Sequence, residues 1–364
     1  MKKTITLIFG TRPEAVKMCP LVRELLRRDS FSVRVMVTGQ HGDLLREVLS
    51  FFGVQPDVDL SLMRPDQTPA AFSARALVAL SAQLESDRPD MVLVHGDTAT
   101  AYAGALAAFY QRIPVGHVEA GLRSGDVASP FPEEFYRRSI SLVSHMDFAP
   151  TPLAGENLLR EGKNPAHIYV TGNTVADALR ETVSPVACPP AARLAKGRKI
   201  LLLTLHRREN FAALPGILRA VRRLSEEHPE VAVLYPVHPN PAVQAAARAL
   251  KDSGVICLFP LPMAEFHNLL ARSELVLTDS GGVQEEAVVL GVPAFVLRER
   301  TERQEGVACG GLALIGTGEA EIVSAVSRAL ADTAVLSAMR AAKNPFGDGY
   351  AAKAIADILE REVV

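Results

Sequence analysis

The segment Thr278-Asp279-Ser280-Gly281-Gly282 joins an apolar run to a helical stretch that opens with Gln284, Glu285 and Glu286. Two glycines there let the backbone approach an anion closely, and the free N–H groups of a helix N terminus point toward it. Such a terminus alone contributes only about 0.3 to 1 kcal/mol to holding an exposed charge. A diphosphate would therefore also need hydroxyl and cationic contacts, for which Ser280 and Arg12 are the candidates. Glu286, about one turn into the helix, could accept hydrogen bonds from ribose hydroxyls. A second turn of this kind, Gly10-Thr11-Arg12-Pro13-Glu14, leads into a helix through Ala15, Lys17, Leu21 and Leu25. It is read as bringing free backbone N–H groups together with a cation, which suits phosphate. Taken alone, Gly10 would serve equally as a plain turn and Arg12 as a partner for Glu14.

Acids cluster after other apolar runs. His95-Gly96-Asp97-Thr98 follows Met91 to Val94, Glu119-Ala120-Gly121-Leu122-Arg123 follows Val115 to Val118, and Phe131-Pro132-Glu133-Glu134 precedes the next helix. Carboxylates on opposite faces of a sugar can act as general base and general acid, each contributing about 10² to 10⁴-fold to rate. The bland alternatives are an N-cap for Asp97 and ordinary first-turn acids for Glu133 and Glu134. Three acids at successive sheet-end positions weigh against all three being bland. Thr204-Leu205-His206-Arg207-Arg208-Glu209-Asn210 follows the first apolar run of the second half, so its cations would neutralise a leaving diphosphate. His238 follows the next run and fits ligand contact and loop architecture equally, whereas His41, His145 and His267 have no comparable setting.

These segments need elements to hold them. Apolar runs at Ile5 to Phe9, Val33 to Val37, Met91 to Val94, Val115 to Val118 and Ile168 to Val170 alternate with helical periodicity, the pattern of βαβ units around a parallel sheet. Pro185, Pro189 and Pro190 interrupt that pattern and suit a linker over 184–198. The alternation then restarts with Ile200 to Leu203, Val231 to Leu234, Val255 to Leu258, Leu275 to Leu277 and Ala294 to Leu297. The expectation is an α/β protein of two Rossmann-like domains, 1–183 and 199–347, their parallel sheets facing a central cleft, with a terminal helix over 348–364. Ligands of open parallel sheets sit beyond the carboxyl ends of the strands, where the segments above lie.

Composition narrows the partners. The 364 residues are 48% hydrophobic and 22% charged, enough for a substantial core, and the net charge of −2 has no basic stripe for nucleic acid or an anionic membrane. The four cysteines lack metal or disulfide spacing and read as free thiols in a reducing compartment. No stretch is apolar for the roughly 18 to 20 residues of a membrane span. A soluble, cytoplasmic protein is expected, in which any acidic ligand must meet local cations.

Taken together, Gly10 to Glu14, His95 to Thr98, Glu119 to Arg123, Pro132 to Glu134, His206 to Asn210 and Thr278 to Ala287 resemble the non-hydrolysing UDP-N-acetylglucosamine 2-epimerases. The resemblance extends to Thr171-Gly172-Asn173-Thr174, Thr301-Glu302-Arg303 and Asn344-Pro345-Phe346-Gly347-Asp348-Gly349, nearly the whole chain. It implies a glycosyltransferase-B-like fold, a homodimer, and a final helix returning to the first domain. It also implies inversion at C2 between UDP-GlcNAc and UDP-ManNAc, by anti elimination of UDP to 2-acetamidoglucal and re-addition. The matched positions put Asp97, Glu119 and Glu133 in the acid/base group. Arg12, Lys17, Arg137 and His206 then support sugar and phosphates, with Arg207 and His238 beside them, and Ser280, Gly281, Gly282 and Glu286 hold diphosphate and ribose. Elimination needs proton transfer and leaving-group stabilisation but no hydride carrier, and the chain has no G-x-G-x-x-G, so neither nicotinamide nor metal is called for.

Some positions depart from the family pattern. Tyr136 stands where Asn is common, beside the paired acids, and Gln304 where Pro usually follows Thr301-Glu302-Arg303. Some bacterial members bind UDP-GlcNAc at a neighbouring effector site through a Gln-His-Arg segment and a later Arg. Here Gly42 and Asp43 follow Gln40-His41 and Asp66 stands at the later position, so repulsion of a diphosphate predicts weak or absent activation. The rival readings are a 2-epimerase of a related sugar such as UDP-2,3-diacetamido-glucuronic acid, a hydrolysing epimerase, a transferase on the same fold, and a silent nucleotide-sugar sensor.

Overall fold

The structure, a computed structural model, describes residues 2–40, 42–64 and 67–363. It divides into two compact units, Met1–Ala178 with Phe346–Val364, and Leu179–Pro345.

Among its described residues the first unit holds seven parallel strands: β1 (Lys3–Phe9), β2 (Phe31–Val37), β3 (Val58–Asp59), β4 (Met91–His95), β5 (Val115–Val118), β6 (Met146–Ala149) and β7 (Ile168–Val170). Their order is β3-β2-β1-β4-β5-β6-β7. The central strands are apolar on both faces because helices cover both: Ile5, Leu7, Ile8, Val92, Leu93 and Val94 have no exposed surface. The order reverses between β1 and β4, the position where open α/β sheets leave a crevice for ligands. Register sets Ile8 of β1 beside Val94 of β4, so the Gly10 and Gly96 turns emerge side by side.

The second unit repeats the logic with β8 (Lys199–Thr204), β9 (Val231–Pro236), β10 (Ile256–Leu258), β11 (Leu275–Thr278), β12 (Ala294–Val296) and β13 (Leu312–Leu314), ordered β10-β9-β8-β11-β12-β13 and all parallel. Its switch point lies between β8 and β11, with Thr204 registered on Thr278. Leu203, Tyr235, Leu277, Leu297 and Ile322 anchor its core.

Strands β3, β6 and β13 were not expected from the sequence. Only two or three residues form β3 and β13, and Asp147 interrupts the apolar run of β6. Asp147 is tolerated without solvent exposure because Ser144 Oγ donates to it at 2.7 Å and Lys163 Nζ lies 3.1 Å away.

The unit boundary falls inside the helix Thr174–Thr182, ahead of the proline-rich segment. That segment contains a short helix, Pro190–Arg193, and is fastened to the second unit. Ser184 N donates to Asn268 Oδ1 (2.9 Å), Ala191 N to Glu265 Oε1 (3.2 Å) and Arg272 Nε to Ala187 O (2.7 Å). The last helix, Ala351–Val363, lies in the first unit against the helix Arg12–Leu26, its N terminus capped by Asp177, which accepts from Ala351 N and Ala352 N at 3.1 and 3.0 Å. No single helix among the described residues is long and apolar enough to cross a membrane.

Candidate active site

At the end of β1, a Cβ on Gly10 would stand 2.0 Å from Thr38 Oγ1 and 2.6 Å from Thr100 Oγ1, so only glycine passes. Thr11 then caps the helix Arg12–Leu26 in a capping box with Glu14. The Glu14 carboxylate accepts from Gly10 N at 3.1 Å and Thr11 N at 2.8 Å, and its other oxygen accepts from Thr98 Oγ1 at 2.7 Å. The N–H groups of Gly10 and Thr11 are therefore taken by the protein's own carboxylate. Glu14 is 2% exposed, and burial pushes its carboxyl up against the opposing effect of those hydrogen bonds. Arg12 does not pair with Glu14 in a salt bridge but lies 3.8 Å from Glu47.

At the end of β4, Thr98 rather than Asp97 caps the following helix, Ala99–Tyr110, accepting from Ala101 N at 3.0 Å. Asp97 is left to receive Arg137, whose Nε lies 3.0 Å from Asp97 Oδ2 and whose Nη1 donates to the fully buried Glu134 at 3.0 Å. After β5, Glu119 has a left-handed φ of +63°. Its Oε2 receives Lys17 Nζ and, at 3.0 Å, Asn173 Nδ2, with His95 Nε2 3.6 Å away. Two of the three predicted acids thus sit at the ends of neighbouring strands, each with its own cation. Glu133, half-buried, opens the helix Glu133–Val143 one residue before Glu134. Behind them His117 Nε2 lies 2.8 Å from Gly96 O. Burial pushes the His117 pKa down to about 4, so the ring is neutral and donates to that carbonyl.

In the second unit, Asp279 binds the loop after β8 to the end of β11. It accepts from His206 N and Arg207 N at 3.1 Å each and from Asn210 Nδ2 at 3.2 Å, and burial pushes its carboxyl up. His206 Nδ1 lies 3.4 Å from Asp279 Oδ1, and its ring stacks on His238 with centroids 5.5 Å apart. Burial, then the neighbouring charge of Arg207, holds His206 well below its ordinary value, although 35% of the side chain reaches solvent. The expected cation at His206 is therefore a neutral imidazole, and positive charge at this loop comes from Arg207 and Arg208. His238 Nδ1 accepts from Asn240 N at 3.1 Å, which shapes its own loop.

Ser280 caps the helix Gly281–Val289, its Oγ accepting from Val283 N at 3.4 Å. No carboxylate stands at the third helical position, unlike the turn at Gly10. A Cβ on Gly281 would stand 2.8 Å from Arg303 Nη1, so glycine lets that guanidinium lie beneath the turn. Arg303 is held by Glu285 (2.9 Å) and by Glu302, which also takes Arg298 at 3.0 Å and faces Arg207 at 3.6 Å. Glu286 faces His267 Nε2 at 3.6 Å, and His267 Nδ1 lies 2.8 Å from Thr182 Oγ1. His267, given no role from the sequence, buttresses the predicted ribose acid. It sits in a helix far along the chain, and no local pattern signals that contact. Among the described residues no cluster could hold a metal ion.

The sequence profile described as UDP-N-acetylglucosamine 2-epimerase matches residues 23–360. The chain belongs to the UDP-N-acetylglucosamine 2-epimerase family. It is 47% identical to the UDP-N-acetylglucosamine 2-epimerase of Bacillus subtilis, over 99% of this chain and 96% of that one. The crystal structure of UDP-GlcNAc 2-epimerase from Neisseria meningitidis bound to UDP-GlcNAc superposes with a TM-score of 0.94 at 38% identity, covering 99% of this chain and 100% of that one. A glycosyltransferase of kitacinnamycin shares the fold alone, with a TM-score of 0.67 at 15% identity over the full length of both chains. The architecture is glycosyltransferase-B-like.

Within this 2-epimerase family frame the departures find places. Tyr136 is 8% exposed and stacks on Tyr102 at 5.2 Å, so its ring joins the helix layer under the acids. Gln304 donates to Thr301 O at 3.3 Å. Of the effector-segment positions, Gly42 lines a cavity of about 530 Å³ and Asp43 pairs with Arg46 at 2.7 Å, while His41 and Asp66 lie outside the described residues.

Proposed function

We propose that this chain is a non-hydrolysing UDP-N-acetylglucosamine 2-epimerase, interconverting UDP-GlcNAc and UDP-ManNAc. The observation that carries the reading is the pair of carboxylates Asp97 and Glu119 at adjacent strand ends, each anchored by its own cation. A transferase on this fold would need one base; inversion at C2 needs one group to take a proton and another to return it on the opposite face.

The first unit is assigned the sugar. The C1–O bond breaks, UDP departs with the bond electrons, and the C2 proton passes to a carboxylate among Asp97, Glu119 and Glu133, leaving 2-acetamidoglucal. A proton then adds to C2 from the other face as UDP oxygen returns to C1. The C2 hydrogen is only weakly acidic, so cleavage of C1–O leads and stabilisation of departing UDP carries much of the barrier. In the second unit Ser280, Gly281, Gly282 and Arg207 are assigned the diphosphate and Glu286 the ribose. In the first, Arg12, Lys17 and Arg137 orient and neutralise. Neutral His206, with Asp279 behind Nδ1, is assigned to hydrogen bonding or proton relay at the leaving group.

The partner is a second copy of the chain, supported by exposed Val78, Tyr110 and Leu142 on neighbouring helices and read by sedimentation at twice the chain mass. A cytoplasmic location fits the four cysteines, which form no disulfide among the described residues. The test is proton NMR of UDP-GlcNAc in deuterated water, in which UDP-ManNAc should form with deuterium at C2. Free N-acetylmannosamine would mean hydrolysis, and no exchange at C2 would exclude epimerisation of this sugar.

A further inference from the structure

Two segments of the sequence, Thr171 to Thr174 and Phe346 to Gly349, take no part in the chemistry above, yet they meet directly behind Glu119. Asn173 is 2% exposed, and each polar group on it has a partner. Its backbone N donates to Phe346 O at 2.8 Å, its Oδ1 accepts from Val175 N at 3.0 Å, and its Nδ2 donates to Glu119 Oε2 at 3.0 Å. The joint that fixes it tolerates no side chains. Gly172 has φ +86° and Gly347 φ +98°. A Cβ on Gly347 would stand 3.2 Å from Gly172 Cα, and one on Gly172 3.3 Å from Phe346 O, while Phe346 itself is fully buried.

Glu119 needs such support, because a non-glycine residue at φ +63° persists only where its surroundings hold it. Lys17 from the helix Arg12–Leu26 supplies charge, and His95 from β4 stands 3.6 Å away. The Asn173 amide adds an uncharged donor of fixed direction. A Cβ on Gly96 would lie 3.6 Å from Glu119 Oε1, so with Oε2 tied back the second oxygen is turned toward the turn carrying Asp97.

We propose that Asn173 is a positioning residue for Glu119, holding one carboxylate oxygen so that the other is presented beside Asp97, and that the Gly172–Gly347 contact exists to place it. This rests on Glu119 taking part in the proton transfers assigned above. The test uses the full chain, comparing wild type with Asn173→Ser and Asn173→Asp. Serine still caps the helix Thr174–Thr182 but cannot reach Glu119. Aspartate keeps the shape, loses the donor and sets a second anion beside Glu119, facing Lys17 and His95.

Both variants should lose about tenfold or more in kcat, with KM for UDP-GlcNAc within about threefold. Both should move the acid limb of the kcat profile upward, through the lost donor, and Asn173→Asp further, by about one pH unit, because it also adds an anion. Unchanged kcat in folded Asn173→Ser, or a loss confined to KM or melting temperature, overturns the proposal, and Asn173→Ser decides alone if the aspartate variant does not fold. An inactive wild type overturns the epimerase reading and this proposal together; an active wild type with unchanged variants overturns this proposal alone.

Discussion

His117 lies against the turn that carries Asp97 and is held neutral, its pKa pushed by burial from an ordinary 6.5 to about 4. As pH falls, the unfolded chain binds this proton before the folded one does. The stability it contributes is therefore present above about pH 6.5 and lost as pH falls toward 4, an effect on the order of 3 kcal/mol at most. Thermal melts of the wild type should fall over that window, and His117→Gln, which keeps a donor for Gly96 O, should flatten the fall. An equal slope in the variant would remove His117 as its cause. The sequence placed this histidine inside a strand but not its task, because a ring bonding across to the neighbouring strand's turn leaves no local pattern. Glu14 is the opposite case. Thr11-x-x-Glu14 is a capping-box signature written in the sequence, and it states that the N–H groups of Thr11 and Glu14 are already satisfied.

Among the elements, the two glycine turns are closed differently: at Gly10 a carboxylate takes the N–H groups, whereas at Gly281 neutral hydroxyls do, Thr278 Oγ1 accepting from Ser280 N at 3.0 Å and Ser280 Oγ from Val283 N at 3.4 Å. The helix at Gly281 has Val283 where the helix at Arg12 has Glu14, so only the former is left without a returning carboxylate. Ser280→Ala should lower kcat by about tenfold or more if its hydroxyl stabilises departing UDP, while the lost cap costs about 1 kcal/mol of stability. A rise in KM with kcat intact would confine Ser280 to binding. The strands that carry these turns were legible because β1, β4, β8 and β11 are central and apolar on both faces. The peripheral β3 and β13 are too short to show periodicity, and β6 hides behind a buried Asp147 whose partners Lys163 and Ser144 lie outside the strand. The neutrality of His206 was equally hidden, since burial and the nearness of His238 depend on tertiary packing.

At the scale of the whole molecule, the two units share one plan and are assigned different tasks. Each sheet reverses order beside its first strand, and each places its candidate site turns at that reversal. The first unit surrounds its turn with acids anchored by Lys17 and Arg137; the second surrounds its own with Arg207, Arg303 and a helix N terminus capped by a hydroxyl rather than a carboxylate. The division of labour assigned to them requires that the bond from C1 to UDP break and re-form in every turnover. UDP-GlcNAc carrying ¹⁸O in the oxygen that bridges C1 and phosphorus tests this most directly. If UDP departs and returns, the label should spread from the bridge to the non-bridging oxygens of the β-phosphate, in recovered UDP-GlcNAc and in UDP-ManNAc alike. UDP-ManNAc formed with the label still wholly in the bridge would contradict the account.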